Sequence, residues 1–228
     1  EILKNKSLHL NQVYGRSMFR PKHISDDLDY IKDIKNLKQS DFYFLCVSDD
    51  EIFNVSEKLE ISEKVVIHLS GSSDIQVLSK HKNHGVIYPL QTFSYEGNLS
   101  FKEIPLLIEA NNKKTFQKID NLAKLFSNKI RRMNSKNRLI CHLSGTIANN
   151  FSNHMIAVAE KILKSNNIDV ELIRPLILQT FEKLQVISAQ DAQTGPAARN
   201  DKKTINKHIQ LLNESDFLHL YKEITKNI

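Results

Sequence analysis

The chain has 228 residues, of which 40% are hydrophobic and 25% are charged, and its net charge is +6. This composition is typical of a folded protein and excludes a disordered or low-complexity chain. No apolar run approaches the roughly 18 residues that span a membrane and no signal peptide is evident, so we expect no membrane partner. Cys46 and Cys141 have no metal-ligand spacing, which predicts a cytoplasmic location and no metal.

The positive net charge could indicate a nucleic-acid partner, but the lysines and arginines are dispersed among acidic residues. The densest basic run, NKIRRMNSKNR at 128–138, is typical of a solvated strand end. We therefore expect no nucleic-acid partner, and the positive charge favours a small anionic ligand instead.

The first half of the chain alternates short apolar runs with helical patterns. Six runs rich in β-branched and aromatic residues predict strands at 10–14, 42–47, 64–69, 85–90, 104–110 and 129–133. Segments with helical spacing lie between them, at 26–37, 50–59, 72–81 and 112–127. Most of the runs are continuously hydrophobic, as in strands that are covered on both faces. The pattern predicts an α/β domain over 1–133, with a doubly wound and mostly parallel sheet.

The second half, 134–228, contains no further strand pattern and predicts an all-helical domain. Apolar residues at helical spacing predict a long helix over 135–165. Further helices are expected at 170–187, 202–213 and 215–227.

The long helix has no charged residue from Leu139 to Ala159. A helix without charge on any face is usually surrounded by protein, and the asparagine and histidine residues of this stretch make it too polar for a bilayer. We therefore expect a homodimer that packs through the helix 135–165.

Four polar residues of this helix fall on one face, namely His142, Thr146, Asn149 and Asn153, at spacings of 4, 3 and 4. Such side chains either bond to neighbouring backbone or across a dimer interface, or they line a ligand cleft. In the second interpretation His142, Asn149 and Asn153 are candidate catalytic residues.

In open α/β sheets, ligands bind beyond the carboxyl ends of the strands. The residues that directly follow four predicted strands are therefore candidates for cofactor binding: Arg16 and Ser17, Ser48 and Asp49, Ser70 and Gly71, Gln91 and Thr92. An arginine beside a small hydroxyl residue can hold a 2′-phosphate, which favours NADP over NAD. The alternatives are a surface arginine in a turn, and Ser48 and Asp49 as caps of a helix.

The glycine-rich turn of a dinucleotide-binding fold is missing, because no glycines of this chain have the GxGxxG spacing. We expect that the first strand and its glycine turn, roughly 20 residues, either precede Glu1 or have been dispensed with.

Four segments resemble a known family: GVIYPLQTFS (85–94), IPLLIEA (104–110), ANNFSNHMIAVAEKIL (148–163) and AQTGPAARND (192–201). They are similar to the two-domain Rossmann-like oxidoreductases related to pyrroline-5-carboxylate reductase and to deazaflavin-dependent NADP reductases. In that family an NADP-type Rossmann domain precedes a helical dimerisation domain long catalogued as having unknown function. The resemblance covers nearly the whole chain and implies an NADP-dependent oxidoreductase with a small-molecule substrate.

The resemblance identifies AQTGPAARND as the signature loop of the family, and in related dehydrogenases the helical domain closes over the nicotinamide end of the cofactor. Gln193 and Thr194 can form hydrogen bonds and Arg199 can hold an anion, so the resemblance implies that they border the substrate. Asp201 is expected to cap the helix that follows. Asn200 stands where the family more often has glycine, and asparagine also tolerates a left-handed turn.

The general acid is not where the wider superfamily has it. Hydroxyacid dehydrogenases of that superfamily use a lysine one helical turn before an asparagine, whereas Gly145 and Thr146 occupy those positions here. His142 and His154 can donate a proton near neutral pH, although each is also a credible buried structural histidine.

Two functions are consistent with these observations. The first is hydride transfer between NADP and a small anionic substrate. The alternative is a non-catalytic, dimeric nucleotide-binding or sensor module on the same fold.

Overall fold

Residues 5–17, 19–22, 24–93 and 100–228 are described by a computed structural model of the chain. The chain divides into two compact units, Glu1–Asn149 and Asn150–Ile228. The elements of the first unit are β1 (Val13–Tyr14), β2 (Tyr30–Ile31), β3 (Phe42–Leu45), α1 (Asp49–Lys58), β4 (Val65–His68), β5 (Asn83–Pro89), β6 (Leu106–Ala110), α2 (Lys113–Phe126), β7 (Ile130–Arg132) and α3 (Ser135–Gly145). The predicted domain boundary at 133/134 lies between β7 and α3 and stays a prediction.

A five-stranded sheet with the strand order β3-β4-β5-β6-β7 forms the centre of the first unit. β3, β4 and β5 are parallel, β6 is antiparallel to β5, and β7 is parallel to β6. β1 and β2 form a separate parallel pair. This mixed and mostly parallel sheet with flanking helices confirms the predicted Rossmann-like α/β fold.

Helices cover both faces of the sheet. Successive side chains of a strand point to opposite faces, and every residue of β4 is buried. On one face Val65 and Ile67 pack in a cluster that includes Ile119 and Phe126 of α2. On the other face Val66 packs in a cluster with residues of β3 and α1. The apolar run of β4 is therefore continuous because the strand is covered on both faces, as the sequence predicted.

The prediction of a helix over 26–37 is wrong. This segment contains β2 and a single 3-10 turn, Ile34–Asn36. The guanidinium of Arg20 donates to the backbone carbonyls of Ser25 and Leu28. Carbonyls that bind an arginine side chain are diverted from an α-helical ladder, so this side-chain contact overrides the helical pattern.

The helix predicted over 72–81 is also wrong, because only a 3-10 turn at Ile75–Leu78 forms there. Side chains occupy the backbone N–H groups that would begin a longer helix. Ser70 Oγ accepts from the N–H groups of Ser72 and Ser73, at 3.1 and 2.9 Å. Ser135 Oγ accepts from the N–H of Ile75 at 3.0 Å.

The second unit is helical, as predicted. Its elements are α4 (Ser152–Ser165), a 3-10 turn (Val170–Ile173), α5 (Arg174–Lys183), α6 (Lys202–Leu211) and α7 (Leu218–Asn227). Asp201 caps α6, since its carboxylate accepts from the N–H of Thr204 at 3.1 Å. Asn200 has a φ of 53°, which confirms the left-handed turn expected for it.

The predicted helix 135–165 is continuous but not uniform, because residues Thr146–Phe151 form a π-helical segment between α3 and α4. The Thr146 hydroxyl donates to the His142 carbonyl at 3.1 Å. Short π-helical segments are frequent at functional sites. Among the residues that the structure describes, none of the helices combines the length and the apolarity required to cross a membrane.

Candidate functional site

The loop that follows β4 is held in place by its own side chains. Ser70 Oγ accepts from the N–H groups of Ser72 and Ser73, and the N–H of Ser70 donates to Nδ1 of His68 at 3.2 Å. Because β4 runs parallel to β3 and β5, this loop lies at the carboxyl edge of the parallel strands, where a Rossmann-like fold binds its ligands.

A hydrogen-bonded pair of aromatic side chains lies against this loop. Tyr88 Oη of β5 is 3.0 Å from Nδ1 of His142 on α3, and the two rings are 5.8 Å apart at an angle of 73°. A Cβ added at Gly71 would lie 2.7 Å from Cζ of Tyr88 and 2.8 Å from Nδ1 of His142. Only glycine therefore allows the loop to contact the pair this closely.

A buried ion pair fixes α3 to the sheet. The Arg138 side chain, 1% exposed, bonds to the carboxylate of Glu109 on β6 and to the backbone carbonyl of Ser73. Arg138 lies one helical turn before His142, so these contacts also determine where His142 is placed.

His68, the last residue of β4, is fully buried. Burial, together with the nearby positive charge of Arg138, lowers the pKa of His68 from 6.5 to about 4. The side chain is therefore neutral at physiological pH. Since its Nδ1 accepts a hydrogen bond, the proton is on Nε2.

The amino end of α1 joins the same group of residues. The Ser72 hydroxyl donates to the carboxylate of Asp49. Ser48 occupies the N-cap position of α1, but its hydroxyl makes no capping hydrogen bond, so the interpretation of Ser48 as a side-chain cap is wrong. Of the cofactor-binding candidates, the structure brings Asp49, Ser70 and Gly71 together, and it adds His142 from the catalytic candidates.

Two further predicted residues meet beyond β5. The Asn149 side-chain amide donates to Thr92 Oγ1 at 2.6 Å. The side-chain oxygen of Gln91 accepts from the N–H of Thr92 at 2.8 Å. These contacts tie the strand–loop junction to the π-helical segment and leave all three side chains largely exposed.

Arg16 and Ser17 follow β1. Arg16 Nη1 is 2.8 Å from Oε2 of Glu51, which lies in the first turn of α1. The hydroxyl of Ser17 accepts from the N–H of Phe19 at 3.3 Å. Arg16 is thus placed beside the helix that also carries Asp49.

The remaining catalytic candidates belong to the second unit. Asn153, Gln193, Thr194 and Arg199 are all exposed there. The Gln193 amide donates to the carbonyl of Thr194 at 2.9 Å. Gly195, in the same loop, has a φ of 106°, a conformation that glycine adopts readily.

Sequence reasoning missed Tyr88, Arg138 and Glu109. Two signals were available: Tyr88 is a polar aromatic residue at the end of an apolar strand, and Arg138 is the last charge before the uncharged stretch of the long helix. Among the described residues, no three His, Cys, Asp or Glu side chains are grouped in a way that could hold a metal ion.

The sheet and the polar groups at its carboxyl edge define a protein of the Rossmann-like class. The model of a family described as a domain of unknown function, DUF2520, matches residues 104–228. This match covers more than half of the chain, and the chain belongs to that family. No curated protein sequence matches the chain.

Solved structures resemble the chain over nearly its full length. A protein from Bacteroides fragilis, provisionally named an NADP oxidoreductase, has 28% sequence identity and a TM-score of 0.88, over 98% of this chain and 89% of its own. A protein from Thermotoga maritima has 20% identity and a TM-score of 0.82, over 99% and 91% of the two chains. Pyrroline carboxylate reductase from Plasmodium falciparum, solved with NADP bound, shares the fold at 15% identity and a TM-score of 0.54, over 94% and 87%.

Proposed function

We propose that the protein is an NADP-dependent oxidoreductase that transfers hydride to or from a small anionic substrate. The observation that carries this proposal is the cluster at the carboxyl edge of the sheet, where Asp49, the loop at Ser70 and Gly71, and the pair Tyr88 and His142 converge. Polar groups that converge beyond the carboxyl ends of parallel strands form the usual ligand site of an open α/β sheet.

The comparisons support the same class of reaction. The Bacteroides fragilis protein, whose provisional name is that of an NADP oxidoreductase, is similar to this chain throughout both units. The Plasmodium falciparum reductase adds a case in which a protein with this fold holds NADP.

The charge and exposure of Arg16 favour the phosphorylated cofactor. Its partner Glu51 is only partly buried and Arg16 itself is 64% exposed. An exposed ion pair of this kind stabilises a protein by about 0–1 kcal/mol. A bidentate contact with a 2′-phosphate is stronger than that, so the phosphate can displace Glu51 at little cost.

Cofactor selectivity tests the proposal. We expect NADPH to raise the melting temperature of the protein more than NADH does, because a ligand that binds the folded state stabilises it in proportion to its affinity. Arg16→Ala should remove the difference between the two nucleotides. Arg174→Ala is the matched control, since Arg174 is also an exposed arginine paired with a glutamate, and it should keep the difference. Equal or absent shifts in the wild type contradict the proposal.

The alternative function is a nucleotide-binding or sensor module without turnover. The presence of Gly145 and Thr146 where related dehydrogenases have a lysine favours this alternative. A sensor module of this kind binds the nucleotide but does not oxidise NADPH when carbonyl or imine compounds are added. An enzyme binds the nucleotide and also oxidises NADPH.

We also propose that the protein is a homodimer that packs through the helix 135–165. Leu143, Ile147 and Phe151 of this helix are each more than half exposed, and no charge lies near them in the sequence. Covering such a helix with a second copy removes apolar surface from water at about 25 cal/mol per Å².

A further inference from the structure

Tyr88 and His142 form a pair that can transfer a proton, and the binding of a cofactor alone does not require such a pair. Each residue comes from a different element, β5 and α3, and they meet at 3.0 Å directly against the Gly71 loop. The Gly71 backbone packs on both rings, so the pair is fixed against the loop at the carboxyl edge of the sheet, where ligands of this fold bind.

The tyrosine is held in its neutral form. Burial raises the pKa of the Tyr88 hydroxyl, and the neighbouring Cys141 and Asp49 act in the same direction. Tyr88 therefore keeps a proton that it can give to a reacting atom. The imidazole beside it is the side chain that most readily takes up and releases protons near neutral pH.

The surroundings hold His142 in place. Arg138, one helical turn earlier on α3, is anchored to Glu109 and to the Ser73 carbonyl. These contacts anchor the helical turn that carries His142, so the backbone of His142 is placed before a ligand arrives.

We propose that Tyr88 and His142 are the proton-donating pair of the reaction, an inference that rests on the proposed function. Reduction of a C=O or C=N bond adds a hydride from the reduced nicotinamide to the carbon and a proton to the oxygen or nitrogen. Tyr88 Oη supplies that proton. Protonated His142 then returns a proton from Nδ1 to the phenolate, and the neutral imidazole that results takes up a new proton from solvent. The bound cofactor would supply the hydride, that is, the two electrons of the reduction. The substrate is thus a small carbonyl or imine compound, or its reduced alcohol or amine.

Binding of the oxidised cofactor tests the histidine without a substrate. The nicotinamide ring of NADP⁺ is positively charged and that of NADPH is neutral, so NADP⁺ beside His142 disfavours the protonated imidazole. We therefore expect NADP⁺ to release more protons on binding than NADPH does. Isothermal titration calorimetry in buffers of different ionisation enthalpy measures this release. His142→Gln should abolish the difference. His208→Gln should not, because His208 forms the same kind of pair with Tyr221 in the second unit, at 2.8 Å.

The tyrosine is tested by its near-ultraviolet absorbance. At alkaline pH, NADP⁺ should increase the tyrosinate absorbance of the wild type, since a positive charge next to Oη favours the phenolate. Tyr88→Phe should lose this increase, and the control Tyr221→Phe should keep it. Circular dichroism melting curves of the four variants establish that each is folded.

The possible outcomes separate the two proposals. If NADP⁺ binds but the proton release and the tyrosinate signal persist in His142→Gln and Tyr88→Phe, the pair is not at the reacting end of the cofactor and the inference is overturned, while the proposed function stands. If neither nucleotide binds the wild type, the proposed function fails and the inference fails with it.

Discussion

The two units of the chain place their apolar side chains in opposite ways. Of the described residues, every buried apolar one except Val158 belongs to the first unit, where they fill both faces of a sheet. In the second unit α5, α6 and α7 contain no buried residue, and large side chains such as Leu172, Leu176 and Leu211 are mainly exposed. The first unit is stabilised from within, whereas the second leaves many of its large apolar side chains exposed.

This difference has an energetic meaning. Burying a leucine side chain contributes about 1.5–3 kcal/mol relative to leaving it exposed. The second unit leaves most of that contribution unrealised, and a small unit with little internal core is only marginally stable by itself. In the proposed homodimer, the stability of the second unit should therefore depend more strongly on protein concentration than that of the first.

A charge placed on the long helix should have the largest effect. We expect the wild type to elute as a dimer of the 26.3 kDa chain and Phe151→Glu to elute as a monomer. A symmetric interface buries the unpaired charge twice, at a cost of several kcal/mol. Phe53→Glu is the matched control, since the two phenylalanines are 58% and 55% exposed but Phe53 lies on α1. Light scattering after size exclusion gives the masses, and a monomeric wild type at micromolar concentration refutes the dimer.

Removal of Glu109 should have the next largest effect, and it concerns the first unit alone. Glu109→Ala leaves the guanidinium of Arg138, which is 1% exposed, without its counter-charge. Breaking a buried pair in this way costs about 3–5 kcal/mol, which urea unfolding measures. Glu103→Ala breaks the exposed pair with Lys129 and should cost less than about 1 kcal/mol. Equal losses in the two variants would mean that the Arg138 pair is solvated.

Acid should weaken the first unit through His68, with a smaller effect. The pKa of His68 is about 4 in the folded protein and about 6.5 in an unfolded chain, so the unfolded state binds more protons between these values. The contribution of neutral His68 to the free energy of unfolding is fully present above about pH 6.5. It falls by up to about 3 kcal/mol as the pH approaches 4. His81 and His84, whose pKa values burial also lowers, add to the loss.

Urea unfolding at neutral and acidic pH measures this dependence. His68→Asn should flatten it, and the exposed His219→Asn should leave it unchanged. An identical slope in His68→Asn and the wild type would show that another group is responsible.

Local patterns predicted most of the architecture. The six apolar runs, the helices at 50–59 and 112–127, and the helices of the second unit all form, because strand and helix periodicities follow directly from the order of residues. The errors at 26–37 and 72–81 arose where side chains from outside the segment, those of Arg20 and Ser135, bind its backbone. Arg20 is 8 residues from Leu28, and Ser135 is 60 residues from Ile75. A periodic pattern contains no information about such contacts.

The candidate site was only partly predictable, for a related reason. Asp49, Ser70 and Gly71 were found because strand ends can be located along the chain and the carboxyl edge is where ligands bind. Whether Arg16 and the exposed loop at Gln193 bind ligands stays a prediction.

The order of apolar and polar residues was enough to establish the α/β class, the helical second half and the uncharged helix, since each depends on spacing within a few turns. The partners of Tyr88 and Arg138, which are His142 and Glu109, could be identified only from the tertiary structure. His142 is 54 residues from Tyr88, and Glu109 is 29 residues from Arg138. Contacts over such distances depend on strand order and on the packing of α3 against the sheet, which no local spacing encodes.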